Sequence, residues 1–271
     1  EIVGPETDEK YFDRWESKWT AIRGCRDYFN KITEELIDVP NLADSDEPFI
    51  QMIGSAYERY VQKLFEYNRI DFPHQQKIFL DLLDHTDIGR EIRAKVRYVM
   101  VDEYQDTNYV QEQLLLLLAN KDENIAVVGD EDQALYRFRG GTVRNILEFE
   151  QHFKKCHVVI LSINYRSHEN IIKAYDKYMR SWEWVESQTG KRFRYKKKII
   201  PDPHTKFPQY PSMLAIWGKN RMDQARRFAD FVSYLKKHKI IEDESQVAVL
   251  LHSVRQDHSG HFIEALQEKG I

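Results

Sequence analysis

The apolar positions of this chain follow two regimes. Over residues 10–38, Phe12, Trp15, Trp19, Ile22, Phe29 and Leu36 recur at steps of three, four or seven, with Lys, Arg and Glu between them. That spacing predicts one long amphipathic helix. Asp38-Val39-Pro40-Asn41 ends it, and an acidic, loop-like stretch runs on to Pro48. A second helix is expected over 49–68, with Ile53, Ala56, Tyr57, Tyr60, Leu64 and Phe65 inward, and a third over 75–83. At this periodicity the aromatics read as helix–helix packing. From Arg97 the regime changes. Short apolar segments at 98–101, 125–128, 158–161, 213–217 and 247–251 alternate with helical patterns near 109–119, 143–153, 168–180, 222–238 and 261–269. Strands alternating with helices predict βαβ units and parallel sheets, hence an α/β chain behind an N-terminal helical region. Ser167 as N-cap and Glu169 in the first turn open helix 168–180. Met222, Ala225, Phe228, Phe231, Val232 and Leu235 give helix 222–238 one apolar face, and Gly270 stands where a left-handed residue closes the last helix.

Composition narrows the class without naming a function. At 271 residues, 42% hydrophobic and 31% charged, the chain can bury one large core or two ordinary ones. A net charge of −4 argues against non-specific nucleic-acid binding by bulk charge, so any such binding must come from local patches. Cys25 and Cys156, far apart and without metal-ligand spacing, suit a reducing, cytoplasmic setting. The longest aliphatic run, Leu114 to Ala119, is too short for a membrane span, and no membrane partner is expected. The chain opens on Glu1 rather than Met, the expectation being a piece of something longer.

Three segments at predicted strand ends carry candidate chemistry. Tyr98 to Val101 runs into Asp102 and Glu103, with Gln105 and Asp106 just beyond. The apolar run reads as a buried strand of a parallel sheet, and ligands of open α/β sheets bind at such carboxyl ends. One carboxylate can hold a hydrated Mg²⁺ while its neighbour takes a proton from an attacking water; a solvated pair of acids is the plainer reading. The second segment runs from Val127 through Gly129-Asp130-Glu131-Asp132-Gln133 to Tyr136-Arg137-Phe138-Arg139. Gly129 permits a sharp turn out of the strand, and Gln133 offers an amide to a phosphate oxygen. The alternating rings and guanidiniums suit a nucleic-acid single strand, or else a buried aromatic pair beside two surface arginines. The third is Asn164-Tyr165-Arg166-Ser167, which sets Arg166 at a strand-to-helix junction within reach of a phosphate and Tyr165 where it can stack on a base.

In this order and spacing the strings Asp-Glu-Tyr-Gln-Asp-Thr-Asn, Gly-Asp-Glu-Asp-Gln-x-x-Tyr-Arg-Phe-Arg-Gly and Asn-Tyr-Arg-Ser resemble the superfamily 1 helicases of the UvrD/Rep type. The middle string departs slightly: Ala134-Leu135 replaces Ser-Ile, and Phe138 stands where Trp is common. Asn68 to Phe72 is a weaker echo, and Ser245 to Ile271 looks like a later stretch of the same motor, so the resemblance covers the chain from about residue 57 onward. It implies partial RecA-like (P-loop NTPase) lobes with parallel sheets: residues 1–66 a helical accessory subdomain inserted in the first lobe, 67–155 part of that lobe, 156–271 the start of the second. ATP and Mg²⁺ are the implied cofactors. Asp102 would hold the metal and Glu103 activate water. Gln105 and Gln133 would couple the γ-phosphate to lobe movement, Tyr165 pack on adenine, and Arg166 contact the γ-phosphate. Tyr136, Phe138 and Arg139 would touch or brace DNA. The implied activity is ATP-dependent translocation on single-stranded DNA, 3′ to 5′, with unwinding at duplex junctions, alongside repair or replication proteins.

No Gly-x-x-x-x-Gly-Lys-Ser/Thr occurs in these residues, so the chain alone is expected to show no appreciable ATPase, and an incomplete sheet would leave an edge open to self-association. The alternatives are a helicase-derived module that binds DNA or protein without turnover, and the helicase part of a helicase–nuclease. Lys191 to Lys198, six cations with Phe193 and Tyr195 between, reads either as a phosphate-tracking segment or as a solvated, edge-protecting strand.

Overall fold

A computed structural model describes residues 11–119, 123–134, 143–185, 190, 192–207, 211–251 and 253–271, the side chains of 11–17 excepted. The chain divides into two compact units. Unit 1 runs to Leu161 and takes in Trp182–Lys197; unit 2 comprises Ser162–Ser181 and Lys198–Ile271.

Unit 1 begins with five helices: α1 (Tyr11–Glu34), α2 (Val39–Ala43), α3 (Pro48–Glu66), α4 (Phe72–His85) and α5 (Asp87–Lys95). Local chemistry sets their starts. Proline stands in the first turn of α2, α3 and α4, where its missing N–H has no helical partner to lose. Asp71 caps α4 by accepting His74 N–H at 2.8 Å, and Thr86 caps α5 by accepting Gly89 N–H at 2.9 Å. The core of this region joins Ile32 of α1 to Ile53 and Tyr57 of α3, with Phe29, Val39, Leu42 and Val61 around them. The structure corrects several expectations here. Residues 39–43 form α2 rather than a loop, because Val39 and Leu42 pack into that core, and Asp87–Lys95 is a further helix. Trp19 and Phe65 are exposed rather than inward, each lying beyond the packed stretch of its own helix.

Next come β1 (Val99–Val101), α6 (Tyr109–Ala119), β2 (Ile125–Val127) and α7 (Val143–Glu148). β1 and β2 pair in parallel, Val99 opposite Ile125 and Val101 opposite Val127, as the alternating pattern predicts. Val101, Ile125 and Val127 pack on Tyr104, Ile146 and Phe149 with Leu115 of α6. On the other face Met100 is 85% exposed and Tyr98 75%. Among the described residues the expected strand buried on both faces is therefore buried on one, the face that meets Tyr104, Ile146 and Phe149.

Unit 2 holds β3 (Ile163–Asn164), α8 (Glu169–Arg180), β4 (Ile200–Pro201), α9 (Arg221–Lys237) and α10 (Gln256–Glu268). β3 and β4 pair in parallel. α9 lies on α10 through Ala225, Ala229 and Ala265, side chains small enough for close approach, flanked by Phe262 and Leu266. Arg226 pairs with Glu268 at 3.0 Å across these two helices. Asn220 caps α9 by accepting Asp223 N–H at 2.8 Å. Gly270 closes α10 with φ +72°, the left-handed geometry its position predicts. Segments 158–161, 213–217 and 247–251 are not strands. Leu161, Leu214 and Leu250 are exposed there, and no ladder among the described residues pairs these runs. An apolar run becomes a strand only against a partner. Among the described residues no helix is long and apolar enough to cross a membrane.

Candidate functional site

Because β1 and β2 are parallel, their carboxyl ends lie side by side. The ladder continues past both: Val128 N–H donates to Val101 O at 2.8 Å and Tyr104 N–H to Val128 O at 3.0 Å. Asp102 and Glu103 therefore emerge next to the Gly129-Asp130 turn. Both acids are exposed. Asp102 Oδ1 accepts the N–H of Glu103 at 2.9 Å. Glu103 has φ +51°, the left-handed region, which costs a side-chain-bearing residue roughly 1–3 kcal/mol and concentrates at functional sites.

Gln105, in the 3₁₀ turn Tyr104–Asp106, joins the two strand ends. Its Nε2 donates to Glu103 Oε2 at 2.6 Å and its Oε1 accepts Asp130 N–H at 3.0 Å. The residue is 2% exposed. Space for it comes from Gly129, where a Cβ would stand 2.6 Å from Gln105 Oε1 and 2.7 Å from Ile146 Cδ1. The glycine is thus required by close approach, and its φ is not positive. Burial, and then the charge of Glu103, push the carboxyl of Asp106 above the ordinary range, and its Oδ1 is buried without a hydrogen-bond partner.

The rest of the first motif is scaffold. Asn108 and Gln111 form a reciprocal cap on α6: Gln111 N–H donates to Asn108 Oδ1 at 2.9 Å, and Asn108 N–H to Gln111 Oε1 at 3.0 Å. Buried Asn145 of α7 donates to Thr107 O and Asn108 O, both at 3.3 Å. Tyr104 Oη donates to buried Glu112 at 3.3 Å. Burial raises the pKa of Glu112 despite the nearby His152.

After β2, Asp130 is the hub of the 3₁₀ turn Glu131–Gln133. Its Oδ1 accepts Asp132 N–H at 3.1 Å and its Oδ2 accepts Gln133 Nε2 at 2.7 Å. The basic segment before residue 198 meets this turn in a way neither sequence reading anticipated. Arg194 grips Asp132, Nε to Oδ1 at 2.7 Å and Nη2 to Oδ2 at 2.9 Å. Lys197 Nζ lies 2.5 Å from Asp130 Oδ1, 2.8 Å from Glu131 Oε2 and 3.1 Å from Asp132 Oδ2. Tyr195 N–H donates to Glu131 Oε1 at 2.8 Å and its hydroxyl to Ile146 O at 3.0 Å. Burial pulls the Lys197 pKa down, but the bonds to Asp130 and Glu131 outweigh it and hold the ammonium above the ordinary lysine value. Opposite charge spread over 62 to 67 residues of sequence was the one available signal, and it names no partner.

In unit 2, Asn164 Oδ1 accepts the N–H groups of Arg166 at 2.9 Å and Ser167 at 2.8 Å, shaping the turn after β3. Tyr165 and Arg166 are exposed. The cap of α8 is His168, whose Nδ1 accepts Asn170 N–H at 3.1 Å, and not Ser167, which is committed to the Asn164 turn.

Asp102, Glu103, Gln105 and Gln133 thus belong to one connected set in unit 1, whereas Tyr165 and Arg166 belong to unit 2. Tyr136, Phe138 and Arg139 lie outside the described residues. Two exposed carboxylates beside a buried amide make an acceptor-rich rim, which fits a hard hydrated cation that takes one or two protein carboxylates and keeps its waters. No group of three or more His, Cys, Asp or Glu among the described residues makes a complete metal cage.

Residues 6–154 match the family model described as the UvrD/REP helicase N-terminal domain. The ATP-dependent DNA helicase PcrA of Bacillus subtilis is 33% identical over 153 residues, 54% of this chain and 21% of that protein. PcrA of Staphylococcus epidermidis is 34% identical over 153 residues, with the same coverage. The ATP-dependent DNA helicase UvrD1 of Mycobacterium tuberculosis is 34% identical over 164 residues, 54% of this chain and 20% of that protein. The matched stretch spans about a fifth of the length of these relatives. The family match contains both strand-end turns and stops before Tyr165 and Arg166. Matched over more than half its length, through the two turns that Gln105 ties together, the chain belongs to the UvrD/REP helicase family.

Proposed function

We propose that these residues are part of an ATP-dependent DNA helicase or translocase of the UvrD/Rep type, which couples ATP hydrolysis to movement on single-stranded DNA, 3′ to 5′, and unwinds duplex junctions. One observation carries the reading: the hydrogen-bond chain from Glu103 through Gln105 and Asp130 to Gln133. It links an exposed acid at one strand end to an amide at the next, an arrangement suited to activating water and sensing the phosphate being cleaved. The relatives' names, ATP-dependent DNA helicases, support ATP and DNA as ligands.

In this reading Glu103 takes the proton of the attacking water. Asp102 would hold Mg²⁺, which when bound would supply neutralisation of phosphate charge. Gln105 and Gln133 relay the γ-phosphate state, Arg166 contacts that phosphate and Tyr165 packs on adenine. Tyr136, Phe138 and Arg139 meet the DNA strand. The domain scheme is a helical accessory subdomain over 1–66, part of a first RecA-like lobe over 67–155 and the start of a second over 156–271, in a cytoplasmic protein that meets repair or replication partners.

The test is DNA-stimulated ATP hydrolysis by the full-length protein. Glu103→Gln is expected to lower kcat by about 10²–10⁴-fold while ATP still binds, the range for a lost general base. The 271-residue chain alone is expected to show no appreciable turnover, since it holds no phosphate-loop string. Wild-type turnover in Glu103→Gln would overturn the assignment of the base, and robust DNA-stimulated hydrolysis by the chain alone would overturn the phosphate-site argument.

A further inference from the structure

We propose that Lys197 is a positioning residue for Gln133, acting through the carboxylate of Asp130. The inference rests on the sensing role proposed for Gln133. Asp130 is the junction of the site: its N–H binds Gln105, its Oδ2 holds the Gln133 amide, and its Oδ1 meets both Asp132 N–H and Lys197 Nζ. With Oδ1 held by the buried Lys197 ammonium as well as by Asp132 N–H, the swing of the Asp130 carboxylate is narrowed, and its Oδ2 is left turned to Gln133. The Lys197 side chain is 9% exposed.

Anchoring alone does not account for this lysine. Arg194 already grips Asp132 with a two-pronged contact, and Tyr195 already fastens the segment through Glu131 and the carbonyl of Ile146. Lys197 adds the contact to Asp130, whose side chain is 36% exposed against 2% for Asp132 and 4% for Glu131. Of the three acids, Asp130, which holds the sensing amide, meets Lys197, while Asp132 is also gripped by Arg194 and Glu131 also accepts Tyr195 N–H. Lys197 is also the last residue of unit 1 before the chain passes to Lys198 of unit 2. A pull on the backbone at that crossing reaches Asp130 through a single side chain.

The experiment uses the full-length protein and two readouts: the ¹⁵N–¹H resonances of the Gln133 side-chain amide, assigned by their loss in Gln133→Ala, and kcat and KM for DNA-stimulated ATP hydrolysis. Lys197→Met is expected to move the Gln133 resonances and lower kcat about tenfold at unchanged KM for ATP, the size of one misdirected hydrogen bond to a charged group. Lys197→Arg is expected to restore most of both. Should Lys197→Met fail to fold, Lys197→Gln, one atom shorter and uncharged but still polar, carries the same readouts. Unmoved Gln133 resonances in a folded Lys197 variant would overturn the proposal. If the resonances move but kcat stays at the wild-type value in that variant and in Gln133→Ala, Lys197 does position Gln133, and it is the sensing role that falls.

Discussion

Gln105 Oε1 accepts the backbone N–H of Asp130 at 3.0 Å, joining the turn after β1 to the turn after β2 across 25 residues of sequence. The amide is buried and its other end holds Glu103, so removing it leaves a partner unpaired in each of the two turns. Gln105→Ala is expected to lower stability by about 1–3 kcal/mol, the cost of leaving such groups unpaired. Gln105→Glu should be as harmful at pH 7, because a second carboxylate then faces Glu103, and should recover as the acids protonate. Urea midpoints at pH 7 and pH 4.5 check both; a wild-type midpoint for Gln105→Ala would remove the bridge from the account.

Gly129→Ala tests the close approach that makes room for that amide. The new methyl would meet Gln105 Oε1 at 2.6 Å and Ile146 Cδ1 at 2.7 Å, so one of them must move. An overpacking cost of about 1–3 kcal/mol is expected. Pairing Gly129→Ala with Gln105→Ala should relieve part of it, giving a double variant more stable than the two losses added together. Strict additivity in urea unfolding would show that the crowding lies elsewhere.

The cap on α6 makes a separate prediction. Asn108→Ala removes the acceptor for Gln111 N–H and the donor to Gln76 Oε1 at 3.1 Å, and is expected to cost about 1–2 kcal/mol. Asn108→Asp keeps the cap and loses only the contact with Gln76, so its loss should be smaller. Thermal unfolding followed by circular dichroism ranks the three proteins; Asp faring no better than Ala would contradict the capping role.

Glu34 makes stability depend on pH. Burial, assisted by the charges of Glu35 and Asp71 and opposed by Lys31, raises its carboxyl from 4.5 to about 7. A carboxyl with a raised folded-state pKa binds its proton more tightly in the folded chain. Its contribution is therefore full below pH 4.5 and fades as pH rises towards 7. Discounted for partial exposure, the swing is on the order of 1 kcal/mol. In Glu34→Gln this part of the decline in melting temperature between pH 5 and pH 7.5 should be absent; an unchanged decline would acquit Glu34.

Much of the architecture could be read from spacing, because helices and strand ends announce themselves locally. The helices at 109–119 and 222–238, the parallel pairing of the segments near 99 and 125, and the left-handed Gly270 follow from periodicity and turn chemistry. The acids at the end of β1 were equally visible. What spacing could not supply were relationships set by tertiary packing. Tyr98 and Met100 look like core but face outward, since nothing in a strand says whether its second face is covered. Arg194 and Lys197 look like a solvated charge run, yet they are buried against three acids more than 60 residues earlier. The Asn108–Gln111 cap was within reach, as an Asn followed three residues later by Gln ahead of an apolar run.

The route of the chain has a practical consequence for anyone dissecting it. Backbone leaves unit 1 after Leu161, comes back at Trp182 and departs again after Lys197, whereas the family match ends at residue 154. A piece expressed to that limit would forfeit both buried cations and strip Asp130, Glu131 and Asp132 of the counter-charge that Arg194 and Lys197 supply. A minimal soluble version of the first unit therefore has to retain Trp182–Lys197, grafted or co-expressed. Otherwise like-charge repulsion will open the very turn the dissection was meant to isolate.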